Sequence, residues 1–280
     1  MKKFFSKSVV KKVCYAVLTF ILSLCIVGVA LSSLVRFTLL NGGFLSDTLN
    51  NSSYYTDLCD EITDDLMDIG DASGLDKSFF EGFVNEVFVR EDVQDYINKF
   101  YKGEKLTVDS THFDESLRSA LDNYVRVNGI EKNYSQSGVN YFIKEATKIY
   151  VNNIELKYFD MLQQLAGEYS SKLTLVMIVC LVVAAGICLL MLLTNEWKHK
   201  AVRYIAYATG ASALFMLCIP TAVYLSGALG KLTIISRSLK DMYMSCFNTV
   251  LADMYIISGV LFVLFAALIL IHGKIRVKAT

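Results

Sequence analysis

Six carboxylates crowd the stretch 57–68: Asp57, Asp60, Glu61, Asp64, Asp65 and Asp68. At three- and four-residue spacing on a helix such groups stand side by side, and several oxygens held together suit calcium. A calcium loop of the EF-hand kind also needs acids at alternate positions and a glycine at its sixth. Asp68-Ile69-Gly70-Asp71-Ala72-Ser73-Gly74 does not follow that order, so the run reads as a solvated acidic helix face.

Other chemistry is thinner still. His112, His199 and His272 stand far apart, and no His-x-x-x-His or Cys-x-x-Cys spacing exists to hold zinc. There is no Gly-x-Ser-x-Gly elbow and no phosphate-binding glycine loop. His112 reads as a surface or first-turn residue. No catalytic residue, cofactor-binding residue or metal ligand emerges, and neither an enzyme nor a cofactor is expected. Cys14, Cys25, Cys180, Cys188 and Cys218 fall in long apolar segments, where the thiol acts as a small hydrophobe. Cys59 and Cys246 fall outside them. A disulfide between these two is compatible with an oxidising compartment, although each also fits the apolar stripe of its own helix.

The elements that would carry such residues are dominated by four uncharged apolar runs, 13–35, 173–194, 204–229 and 254–271. Each is close to or above the roughly 20 residues that a helix needs to cross hydrocarbon. The first follows a basic start, as a signal peptide does, but its length suits an uncleaved signal-anchor helix better. None of the four carries a charge at central depth; Arg36 and Asp253 stand near the ends, which argues against an ion-coupled carrier. Ala206, Gly210 and Ala213 are small residues suited to close helix packing in the third run. Pro220, the chain's one proline, lies in the same run, where neighbouring helices can satisfy the freed carbonyl.

A formal charge of zero hides a split. Lys2, Lys3, Lys7, Lys11, Lys12, Lys198, Lys200, Arg203, Lys274, Arg276 and Lys278 lie in the tails and one short loop, against the single acid Glu196. The stretch 41–172 carries 24 acidic and 12 basic residues. Short basic segments stay cytoplasmic, which puts both termini inside and the acidic stretch outside. The expected layout is a cytoplasmic tail 1–12, a first membrane helix 13–40 and an extracytoplasmic helical domain 41–172. A second membrane helix 173–194, a cytoplasmic loop 195–203 and a third membrane helix 204–229 follow. An outer loop 230–253 with an amphipathic helix, a fourth membrane helix 254–272 and a cytoplasmic tail 273–280 complete it. Asn50, Asn51 and Asn133 begin glycosylation sequons that matter only in a eukaryote.

Within 41–172 the period is helical throughout. Cys59, Ile62, Leu66 and Ile69 form one stripe, and 78–100 is an aromatic-rich second stretch closed at Gly103. Thr111 with Asp114 and Glu115 resembles a capping box opening a third helix that Gly129 ends. Val139, Phe142, Ala146, Ile149, Asn153, Tyr158, Met161 and Leu165 predict a stalk helix running unbroken into Leu173. In the outer loop Ile235, Leu239, Met242, Cys246 and Val250 share a face, and its mixed charges predict packing on the acidic domain rather than on lipid.

Arg36-Phe-Thr-Leu-Leu-Asn41, the following Asn51-Ser-Ser-Tyr-Tyr55, the Ser73-Gly74-Leu75 turn and Tyr101-Lys102-Gly103 resemble uncharacterised four-span membrane proteins of Gram-positive bacteria, which carry a helical ectodomain between spans one and two. That resemblance implies a bacterial plasma-membrane protein. Glu196, Arg203 and Thr209-Gly210-Ala211-Ser212 are also similar to permease subunits of ABC exporters, which share the span order and require a separate ATPase. That family's outer domain includes sheet, whereas this one reads all-helical. The sequence therefore predicts an all-α integral membrane protein with four transmembrane helices. Its expected role is that of a non-enzymatic accessory, sensor or scaffold at the cell envelope, with the permease-like subunit as the alternative. Its expected partners are the lipid bilayer and a membrane or envelope protein, with a homo-oligomer compatible and no nucleic acid.

Overall fold

The computed structural model describes residues 7–129, 135–156, 159–195, 197–227, 230 and 236–279. Lys2, Lys3, Asn133, Tyr158, Glu196 and Ile235 lie outside the described residues. Among those described, the chain is helical with no strand. The order is α1 (Lys7–Phe37), α2 (Gly42–Asn50), α3 (Tyr54–Ala72), a 3-10 turn (Lys77–Phe79), α4 (Glu86–Lys102), α5 (Thr111–Asn128), α6 (Gln136–Ile154), α7 (Phe159–Thr194), α8 (Lys198–Ser226) and α9 (Arg237–Ala279). The helices α1, α7, α8 and α9 are each long and apolar enough to cross a membrane. The chain forms two compact units, one of Met1–Leu40, Glu168–Leu232 and Phe247–Thr280, the other of Asn41–Gly167 and Thr233–Cys246.

In the first unit α1 and α8 pack closely, with Ser23 and Ser212 hydroxyls 3.1 Å apart and the Ser212 hydroxyl also donating to the Ser23 carbonyl. α7 lies on α1: Arg36 donates to Thr174 at 2.8 Å, and Tyr15 and Thr194 hydroxyls meet at 2.9 Å. α9 lies on α8, where Ser258 donates to the Ala213 carbonyl and the His272 Nδ1–H donates to the His199 carbonyl at 2.7 Å. The small residues of α8 make that approach tight. Ala206 and Ala213 are fully buried, Pro220 is buried, and a Cβ on Gly210 would stand 3.0 Å from the Phe265 ring. Leu175, Val182 and Leu189 of α7 and Ile256, Val263 and Leu270 of α9 remain uncovered, as suits helices solvated by hydrocarbon rather than by water.

The second unit is organised on α3, which packs against α2, α4, α6 and the 3-10 turn. Its core holds Tyr54, Leu58, Ile62 and Leu66 of α3, with Val93 and Ile97 of α4, Leu117 of α5 and Ala146 and Ile154 of α6. The α3 stripe therefore runs through Leu58, with Cys59 and Ile69 on its flanks. The aromatic stretch is not one helix. Lys77–Phe79 closes a 3-10 turn, Gly82 takes a positive φ, and α4 starts afresh where the Asn85 side chain accepts from the Val87 N–H at 2.9 Å. Left-handed Gly103 and Gly129 end α4 and α5, as glycines past a last turn do. Ser110 stands at the N-cap of α5 without a side-chain cap bond; Asp109 before it accepts from the N–H and hydroxyl of Thr111, and Asp114 accepts from the Thr147 hydroxyl. The expected unbroken stalk is corrected too. α6 ends at Ile154 with Glu155 extended at ψ 111°, and a separate helix starts at Phe159 and runs to Thr194. The apolar spacing across that point passes through Leu156 and Phe159, both buried in the core, so burial hid the break.

Candidate functional site

The acidic face of α3 and the first turns of α9 build the most elaborate polar arrangement in the second unit. Asp57, Glu61 and Asp64, spaced by four and three, share one side of α3. Glu61 accepts from the backbone N–H groups of Arg237 and Ser238, from the Ser236 hydroxyl at 2.9 Å and from the Ser238 hydroxyl at 2.6 Å. Ser236 in turn accepts from the Leu239 N–H at 3.1 Å. One carboxylate thus satisfies donors that a helix start leaves open, and it sits at the positive end of the α9 dipole. Arg237 reaches Asp64 at 3.2 Å, an exposed pair worth about 0–1 kcal/mol.

One turn along, the Ser53 hydroxyl donates to Asp241. Burial, then a hydrogen bond shared with Asp241, pushes the Asp57 carboxyl above its ordinary value, while Ser53 and Arg237 pull it back. Beneath these polar contacts Met242 is buried in the core, and Leu239, Tyr243 and Cys246 pack against it. The amphipathic segment therefore rests on the acidic domain. It is also continuous with the fourth apolar run as the single helix α9, and Val250 joins a cluster with Leu34, Met216 and Met254 in the first unit.

Asp65 turns elsewhere and accepts from Asn153 of α6 at 2.9 Å, while Asp60 and Asp68 stay exposed. Among the described residues no three His, Cys, Asp or Glu side chains converge as a metal ion requires. Comparison with protein-family models, with curated proteins and with solved structures found no match.

Cys59 and Cys246 are free thiols in this structure, and their surroundings differ. Burial, followed by Glu86 and Asp60, pushes the Cys59 thiol up to about 11, whereas Cys246 lies near Tyr101. His112 sits in the first turn of α5, its Nδ1 3.4 Å from the Ser116 hydroxyl and its ring 4.0 Å from that of Phe88. Asp92, the acid whose charge reaches His112, accepts instead from the Tyr150 hydroxyl at 2.5 Å. The capping role of Glu61 was not legible in the run of acids around it. The available signal was Ser236-Arg237-Ser238, serines ahead of a helical period.

Proposed function

We propose that this chain is a multi-pass plasma-membrane protein with cytoplasmic termini that acts at the cell envelope without catalysis. The second unit is its extracytoplasmic domain and serves as an accessory, sensor or scaffold that engages a membrane or envelope protein. The observation that carries the reading is α9: its first turns are clamped by Glu61 in the helical unit, and the same helix supplies one of the four candidate spans. A change in that unit therefore meets a helix that continues toward the opposite end of the span. The excess of bases in the tails and the short loop, and of acids in 41–172, supports the assignment of sides.

The permease-like alternative implies an outer domain containing sheet, and the described residues of the second unit contain none. Site-specific photo-crosslinking from exposed positions of the second unit, in the native membrane, tests the role. A discrete adduct with another envelope protein, or with a second copy, is the expected result. The absence of any adduct from every exposed face counts against it, and an adduct with an ATPase from probes placed separately in the 195–203 loop favours the alternative.

A further inference from the structure

At one end of the first unit, where α1 and α8 begin, bases gather from three helices. Tyr15 stacks on Tyr204 at 5.4 Å and Ser23 meets Ser212, which holds α1 and α8 parallel and in register. Lys11 and Lys200 each stand one turn before those tyrosines, on the face that the rings occupy. α9 arrives from the opposite direction, where His272 donates to the His199 carbonyl at 2.7 Å. Arg276, a turn further along α9, stands with Lys200, Arg203 and His272 within electrostatic reach of His199. The acids described in this unit, Glu168 and Asp253, lie toward the far ends of α7 and α9. Glu196, the one acid in the adjoining loop, balances a single base and leaves an excess.

Two buried side-chain nitrogens at this end have no hydrogen-bond partner, Asn195 Nδ2 and Arg203 Nε. Both are donors, and a buried donor left unpaired costs more than an average hydrogen bond returns. The missing group is an acceptor, and the bases around it favour one with negative charge. Arg203 lies over the Tyr204 ring at 5.6 Å and Lys200 over the Trp197 ring at 5.8 Å, contacts that leave a cation's charge uncompensated. Trp197 gives α8 no side-chain cap and the first turn holds no acid, so the helix dipole adds to the same positive field.

We propose that this end of the first unit binds the phosphate of an anionic phospholipid. The proposal rests on reading α1, α7, α8 and α9 as membrane spans. Phosphate oxygens accept charge-assisted hydrogen bonds from guanidinium and ammonium groups. The flanks select a lipid over free phosphate: Val13 of α1, Leu193 of α7 and Trp197 are uncovered at this end, and they give acyl chains an apolar surface next to the headgroup contacts.

Trp197 is the chain's one tryptophan, so its fluorescence reports on this place alone. The full chain is reconstituted in phosphatidylcholine vesicles doped with brominated phosphatidylglycerol or, separately, brominated phosphatidylcholine, whose bromines quench on contact. At equal mole fraction the anionic lipid should quench more, with a preference of about fivefold or greater, about what one base contributes near an anionic surface. Lys200→Gln combined with Arg203→Gln should bring the two lipids toward parity, while quenching by brominated phosphatidylcholine persists and shows that the variant is inserted. Lys172→Gln, at the far end of α7, should keep the preference, and so should inorganic phosphate added at constant ionic strength. Equal quenching of the native chain by both lipids, an undiminished preference in the double variant, or an equal loss in Lys172→Gln would overturn the proposal. Loss of the preference on adding inorganic phosphate would overturn the lipid assignment in favour of a free-phosphate site. No quenching by either lipid would instead overturn the membrane reading beneath it.

Discussion

The ring of Phe80 lies against Gly70 with no room for a side chain between them. Phe80 is fully buried there, held between the end of α3 and the Phe142 ring of α6. Glycine in a helix costs up to about 1 kcal/mol against alanine, and here the contact repays it. Gly70→Ala should therefore lower stability by about 1–3 kcal/mol through overpacking. Gly167, inside α7 with no atom near its missing Cβ, should respond in the opposite way, gaining about 0.5–1 kcal/mol as alanine. Thermal unfolding in detergent reads both signs.

Glu61 is the hinge pin of the α9 start. Glu61→Ala leaves the Arg237 and Ser238 N–H groups and two serine hydroxyls without their acceptor, a cost of about 1–3 kcal/mol. Met242→Ala should cost about 2 kcal/mol or more, as it empties a buried site. Both should raise hydrogen exchange and protease cleavage at 237–246. Unchanged protection in both variants would place the stability of that segment elsewhere.

Asp57 links the same contact to pH. A carboxyl raised in the folded state holds more protons than the unfolded chain, so stability falls as pH rises from the ordinary carboxylate value near about 3.9 through the raised one. Asp57→Asn removes that loss while keeping a hydrogen bond toward Asp241. The variant should melt higher than wild type at neutral pH, with the difference closing as the pH falls below about 4. Equal melting at neutral pH contradicts the shared proton.

Gly210 sets the separation of α8 and α9. Gly210→Leu should loosen the pair by about 1–3 kcal/mol because Phe265 occupies the space. Ser258→Ala, which deletes one hydrogen bond to the Ala213 carbonyl, should cost only about 0.6 kcal/mol, the usual worth of such bonds between membrane helices. The ratio of the two losses, read from unfolding in detergent, shows whether packing or hydrogen bonding holds the helices.

The four long helices were legible because an uncharged run of span length has few alternatives, and glycines 103 and 129 marked helix ends because a left-handed residue is needed there. Three features escaped. The α6–α7 break was masked because Leu156 and Phe159 stay buried through it, so the apolar spacing never lapses. The split at Asn85 was masked by Phe79, Phe80 and Phe83, which pack with Tyr124, Phe142 and Phe113 from a turn and not from a helix face. The cap at Glu61 depends on side chains from α3 and α9 meeting in space, which periodicity along one helix cannot reveal.

The central claim is that the helical second unit faces outward and the basic ends face inward. With all seven native cysteines replaced, single cysteines at Lys105, exposed between α4 and α5, and at Lys200, in the basic start of α8, can be probed on intact cells with a membrane-impermeant maleimide. The account requires labelling of Lys105→Cys and protection of Lys200→Cys until the membrane is opened. Labelling of Lys200→Cys with protection of Lys105→Cys would contradict it.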